Sequence, residues 1–177
     1  MFTGLSVTYA IYAAWVLRVI ASLSPCPPGD ADCARQHAEA SRVIALVALA
    51  DARPEDALAR LSGAGGHETG FRTRVQARGG PAVCWFQVEV PRAERAALVA
   101  DDLSCAFLAL RRARTCGGSM VAYAGGRCVP KTKRVADVAV QLRSCVESAR
   151  RGGAWRCRNW RAPLLPSRRA RRARRGR

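Results

Sequence analysis

Apolar residues recur at intervals of three and four in four separate runs, and this spacing constrains the fold of the 177-residue chain more than any other feature. The runs are Tyr9, Ala13, Val16, Ile20 and Leu23; Val43, Ile44, Val47 and Ala50; Val99, Leu103, Ala106 and Leu110; and Val135, Val138, Ala139, Leu142, Cys145 and Val146. Each predicts a helix with one buried stripe. Between the first two lies Ser24 to Cys33, SPCPPGDADC, whose three prolines remove amide donors and end the first helix. Pro54 followed by Glu55 and Asp56 predicts a further helix start, since proline costs no hydrogen bond in a first turn and acids favour the positive end of the helix dipole. That helix meets Gly63, Gly65 and Gly66, each of which costs about 1 kcal/mol relative to Ala, so it either stops there or has a packing or access reason to continue. The strand-like stretch is Val83 to Val90, where aromatic and β-branched residues gather before Pro91. No repeat of 20 to 50 residues is present. The expected fold class is mainly α, a single domain with at most a short β segment near 83–90.

Eight cysteines, at 26, 33, 84, 105, 116, 128, 145 and 157, are many for a reduced chain of this length, and they point to disulfides in an oxidising environment. About 105 pairings are possible, of which Cys26 with Cys33 closes an obvious small loop. Zinc is the competing use of cysteine. Yet no Cys-x-x-Cys occurs, and His37 and His67 lie far apart with no second ligand at finger spacing. The formal net charge of +17 is carried almost wholly by arginine, and Ser167 to Arg177, SRRARRARRGR, holds seven of them without a large apolar residue. Such a field attracts anionic polymers: nucleic acid, phospholipid surfaces or acidic cell-wall glycans. The tail itself reads as solvated and disordered, either a solubilising end or an anion-binding arm. The N-terminal apolar run lacks the basic residues that precede a signal peptide's apolar core, and Arg18 interrupts it as a membrane span. It is therefore expected to be a domain helix, with an atypical export signal as the alternative.

Several catalytic patterns are missing from the sequence: Gly-x-Ser-x-Gly, His-Glu-x-x-His, the phosphate-cradling Gly-x4-Gly-Lys-Ser/Thr, and Gly-x-Gly-x-x-Gly after a strand. A Cys–His nucleophile would have to combine His67 with Cys84 or Cys105, neither in a setting that lowers a thiol pKa. What remains is a carboxylate. Cleaving a glycosidic bond ordinarily takes two, but substrate-assisted enzymes manage with one. Glu68, beside Phe71 and facing the Trp85–Phe86 block, is the candidate, because partial burial among apolar groups favours the protonated form that an acid catalyst needs. Glu89, alternating with Gln87 on an extended segment, is a possible second carboxylate in the same groove, although a solvated acid is the simpler reading.

Three segments occur in an order that carries a resemblance: His67-Glu68-Thr69-Gly70-Phe71; Gly79-Gly80-Pro81-Ala82-Val83-Cys84-Trp85-Phe86-Gln87-Val88; and Met120-Val121-Ala122-Tyr123-Ala124-Gly125-Gly126. Together they resemble the soluble lytic transglycosylase and goose-type lysozyme superfamily. In that superfamily a helix ends in a Glu-Ser-Gly-Phe-like motif, a Gly-Leu-Met-Gln-like motif follows, and an Ala-Tyr-Asn-Ala-Gly-like motif comes later. The resemblance covers about Ser41 to Ser148. It implies a lysozyme-like catalytic domain over 25–163, preceded by the apolar segment 1–24 and followed by the Arg-rich tail 164–177. It further implies that Glu68 is the general acid and then the base, that Gln87 lines the glycan groove, and that Tyr123 approaches Glu68 or the acetamido group of the sugar. Thr69 keeps the hydroxyl of the usual Ser. Cys84 stands where Gly is expected and Ala124 where Asn follows Tyr, which puts substrate detail in doubt more than the acid. The cysteines, with Gly126-Arg127-Cys128 closing the Tyr motif, resemble a cysteine-bearing, phage- or proteobacterium-like branch.

The activity so implied is cleavage of the β-1,4 bond between N-acetylmuramic acid and N-acetylglucosamine in peptidoglycan by a monomer that needs no metal or organic cofactor. It would act in the periplasm, outside the cell or on a virion, with the Arg-rich tail free to hold other anionic polymers. In transglycosylases the C6 hydroxyl of the muramic acid attacks its own anomeric carbon, and in lysozymes water does. Two alternatives from other classes are a non-catalytic basic binder of nucleic acid or cell wall, and a scaffold that has kept the fold and lost the activity.

Overall fold

A computed structural model describes residues 3–72, 82–118, 120, 123 and 128–153. These residues are mainly helical: α1 (Thr3–Leu23), α2 (Ala31–Leu49), α3 (Pro54–Glu68), α4 (Arg95–Ala100), α5 (Asp102–Arg114) and α6 (Lys133–Arg150), with short 3-10 turns at Arg92–Glu94 and Thr115–Gly118. β1 (Ala82–Val83) and β2 (Val88–Glu89) form an antiparallel pair in which Ala82 faces Glu89 and Val83 faces Val88. The strand-like stretch is thus a tight hairpin and not one strand. The chain reverses over 84–87, with Cys84 and Gln87 at φ 56° and 49°, a left-handed conformation unavailable inside a strand.

α3 is the central helix, packed along its length on α6 and also against α1, α2 and α5. It runs through its glycines without stopping, for a packing reason. A Cβ on Gly63 would lie 2.6 Å from the Cα and the backbone nitrogen of Val146 in α6, and one on Gly65 would lie 2.3 Å from the Phe71 ring. The helix cost of those glycines is offset by the close approach they allow. Trp85, Phe86, Phe71, Leu61, Ile44 and Ile20 are fully buried around α3. Phe71 meets both Trp85 and Phe86 edge to face, with ring centroids 6.3 and 6.1 Å apart.

Val16, Val19, Ile20 and Leu23 of α1 are buried against the rest of the structure, whereas Val7 and Ile11 are 59% and 60% exposed. By length and composition α1 is also apolar enough to cross a membrane over Ser6–Leu23. The expected helix through Val99 and Leu110 is broken in two. Asp101 accepts a hydrogen bond from the Ser104 amide and caps a new helix, α5. The rotation leaves Leu103 outside and buries Cys105, Ala106, Ala109 and Leu110. Disulfides join Cys26 to Cys33, Cys84 to Cys105 and Cys116 to Cys128, and Cys145 is disulfide-bonded as well. The Cys26–Cys33 loop matches expectation, and the Cys84–Cys105 pair removes both thiols from the Cys–His alternative. The Arg-rich tail lies outside the described residues.

An ion cluster ties the start of α3 to the ends of α5 and α6. Arg114 grips Asp51 with both terminal nitrogens, at 2.6 and 2.9 Å, and reaches Asp56 through Nε at 3.0 Å. Asp56 also takes Arg60 at 2.8 Å and Arg150 at 3.4 Å. The Arg114 hydrogen bonds hold the Asp51 carboxyl below its ordinary value of 3.8. A depressed carboxylate stabilises the fold above its unfolded value, and that stabilisation is lost as pH falls through the folded one. Asp51→Asn should therefore cost about 1–2 kcal/mol at neutral pH, discounted for solvent screening, and should cost progressively less as pH falls below about 4. Urea unfolding midpoints across that range would reveal it; a mutational cost independent of pH would contradict it.

Candidate active site

Glu68 is the last residue of α3. Its side chain is 24% exposed, and His67 Nδ1 lies 3.5 Å from its Oε1 without hydrogen-bond geometry. On the other edge of the same ring, His67 Nε2 is 3.4 Å from Gln141 Oε1 on α6. His67 Nδ1 is buried and has no hydrogen-bond partner among the described residues. Gln141 also lines an open depression on α6 of about 470 Å³, together with Lys133, Arg134, Asp137, Val138 and Val140.

The segment after Glu68 turns sharply. Gly70 and Phe71 both have positive φ, 60° and 59°, and a Cβ on Gly70 would meet the Ser24 hydroxyl at 2.3 Å. The Thr69 hydroxyl holds this turn against the hairpin: it donates to the Trp85 carbonyl at 2.8 Å and accepts from the Phe71 amide at 3.0 Å. The hydroxyl is therefore the structurally important atom at position 69.

Tyr123 arrives from the third segment and donates its hydroxyl to the Phe86 carbonyl. Burial and, next, the negative charge of Glu68 keep its hydroxyl protonated well above the ordinary tyrosine range. Its hydroxyl is a proton donor already engaged by the hairpin. Gln87 closes the hairpin turn: its side-chain amide and its backbone amide both donate to the Cys84 carbonyl, each at 3.0 Å. It is half-buried and makes no hydrogen bond to Glu68. Glu89 does not share a face with Gln87, because Gln87 belongs to the turn; Glu89 is exposed on β2. Trp85 and Phe86 are core, with no exposed ring face.

Three segments far apart in the chain thus meet at the end of α3: 67–71, the 82–89 hairpin, and Tyr123. Gly79 to Pro81, Val121, Ala122 and Ala124 to Gly126 lie outside the described residues. The contact between His67 and Gln141 was not legible beforehand. They are 74 residues apart, and only the packing of α3 on α6 unites them. Comparison with known protein families, with curated proteins and with solved structures finds no match.

Proposed function

We propose that the protein is a peptidoglycan-cleaving glycosidase of the lytic transglycosylase type, with Glu68 as its acid and base. The observation that carries this reading is that three segments separated in sequence meet at the end of the helix that Glu68 closes, joined by Thr69 to Trp85 and by Tyr123 to Phe86. A carboxyl on a helix end, part open to solvent, suits the two successive proton transfers of substrate-assisted cleavage. Glu68 gives its proton to the bridging glycosidic oxygen as the bond to the muramic acid C1 breaks. The carboxylate so formed then takes the proton of the C6 hydroxyl as that oxygen bonds to C1. Glu68 returns to its starting state, and the product is a 1,6-anhydro sugar. Tyr123 holds the hairpin through the Phe86 carbonyl.

The disulfides fit a protein that works outside a reducing compartment, in the periplasm, the extracellular space or a virion, as a monomer on glycan strands. The positive charge would concentrate it on an anionic wall and leaves the Arg-rich tail free for other anionic polymers. Hydrolysis, as in goose-type lysozymes, is the alternative outcome at the same site, with water in place of the C6 hydroxyl. Incubation with purified peptidoglycan tests the reading. Soluble muropeptides should be released; binding to the wall without release would favour the basic-binder alternative.

A further inference from the structure

Away from Glu68, Cys26, Cys33 and His37 form a cluster in which one sulfur or nitrogen atom from each lies within 4.8 Å of the others. Cys33 and His37 are one turn apart on α2 and share a face, while Cys26 comes from the connector, its Cα 5.7 Å from that of Cys33. His37 is buried. Its Nε2 lies 3.1 Å from the Gly70 carbonyl, so Nε2 carries the proton, and Nδ1 presents its lone pair 3.4 Å from Cys26 Sγ. Burial, the largest influence on this ring, favours its neutral form. A ring nitrogen fixed by a backbone carbonyl on its far side is the arrangement found in metal-binding histidines.

The distances suit an ion of the zinc class. Tetrahedral zinc with sulfur at about 2.3 Å and nitrogen at about 2.05 Å places nitrogen about 3.5 Å from each sulfur and the two sulfurs about 3.8 Å apart. Cys26 Sγ is already at that separation from Nδ1, at 3.4 Å, whereas Cys33 Sγ lies 3.7 Å from the other ring nitrogen, Nε2. What has to change is the sulfur–sulfur separation and the approach of Cys33 to Nδ1, by rotation of the side chains.

We propose that Cys26, Cys33 and His37 are a two-state site: a disulfide under oxidising conditions and, once reduced, a Cys2His site for a zinc-class divalent cation with a fourth position open. A dithiol reductant supplies two electrons to the Cys26–Cys33 bond and is itself oxidised to a disulfide, leaving two thiols. Each thiol releases one proton to solvent as the ion binds, so two thiolates neutralise the divalent charge, and His37 Nδ1 adds the third ligand. The ion would hold the Ser24–Cys33 connector closed where the disulfide cannot form, and it would sit one hydrogen bond from Gly70, in the turn after Glu68.

The test is titration of the full-length, metal-free, phosphine-reduced protein with Co2+ as a spectroscopic stand-in, followed by displacement with Zn2+. The expected result is a sulfur-to-cobalt charge-transfer band that zinc removes and that the oxidised protein lacks. Cys33→Ser should abolish it, and His37→Ala should weaken Zn2+ binding by at least about a hundredfold, beyond the usual effect of losing an outer-shell partner. X-ray absorption at the zinc edge of the unmutated reduced chain should show two sulfurs and one ring nitrogen. It decides the matter even if a variant fails to fold, and it keeps this test separate from any assay of Glu68. No band, equal affinity in wild type and His37→Ala, or a four-sulfur shell would overturn the assignment.

Discussion

Glu68→Gln is expected to lower glycan cleavage by about 10²–10⁴-fold, the usual contribution of a positioned acid–base group, while leaving wall binding and the unfolding midpoint close to those of wild type. The amide keeps the shape of the carboxyl but neither gives up a proton to the glycosidic oxygen nor takes one from the attacking hydroxyl. The structural cost should be small. His67 Nδ1 lies 3.5 Å from the carboxyl without hydrogen-bond geometry, and the turn after Glu68 is held by the Thr69 hydroxyl, the Phe71 amide and the hairpin instead. Release of soluble muropeptides from purified peptidoglycan, measured beside thermal unfolding of the same samples, separates the two effects. Cleavage at the wild-type rate would remove Glu68 from the chemistry, and a large fall in melting temperature would make any lost activity a folding effect.

Gly63→Ala should be the most damaging single-methyl change in the described core. Helix propensity alone favours alanine by about 1 kcal/mol. Against that, the added methyl would stand 2.6 Å from the Val146 backbone and 2.8 Å from that of Cys145. Backbone atoms of a packed helix cannot swing aside as a side-chain tip can, so α3 and α6 must separate along their interface. Overpacking of this kind costs about 3 kcal/mol, which exceeds the propensity gain and leaves a net loss of about 2 kcal/mol. For a chain of this size that corresponds to a melting temperature lower by about 4–8 °C. Gly66→Ala is the internal comparison. Its methyl would meet only the Leu23 side chain, at 3.2 and 3.3 Å, and the propensity gain should bring the change close to neutral. Equal effects at the two positions would contradict the close-approach explanation. Because His67 on α3 and Gln141 on α6 meet across the same interface, Gly63→Ala should also impair cleavage.

How far the residues could be read in advance depended on whether the determinant was local. Apolar spacing located the helices through Ile20, Val47 and Leu142, and Pro54 marked the start of α3, because amphipathic periodicity and first-turn chemistry lie within a few residues. The Asp101 cap divided a stripe that looked continuous, since one side-chain hydrogen bond to the Ser104 amide outweighed the apolar periodicity. Gly63, Gly65 and Gly66 were ambiguous for a different reason: their purpose is in Val146 and Phe71, which sequence spacing does not bring near. Within the site, Glu68 and Tyr123 could be singled out from motif order; the structure puts Glu68 at the end of α3 and the Tyr123 hydroxyl on the Phe86 carbonyl. Gln87 was read as a groove residue from motif order; its left-handed conformation and its bond to the Cys84 carbonyl depend on the hairpin turn, which motif order does not show. Zinc was set aside because no Cys-x-x-Cys occurs and His37 and His67 lie far apart with no second ligand at finger spacing. The proline-rich connector and the first turn of α2 bring Cys26, Cys33 and His37 together.

The mass of the released fragments tests the central claim most directly, because it reports whether a single carboxylate and the substrate's own hydroxyl complete the reaction. Mass spectrometry of peptidoglycan digested by the wild-type protein should find 1,6-anhydro muropeptides, each one water lighter than the hydrolysed product, and should find none after digestion by Glu68→Gln. Fully hydrated reducing ends would assign the protein to the hydrolytic alternative, and the absence of fragments, or their persistence in Glu68→Gln, would contradict the account.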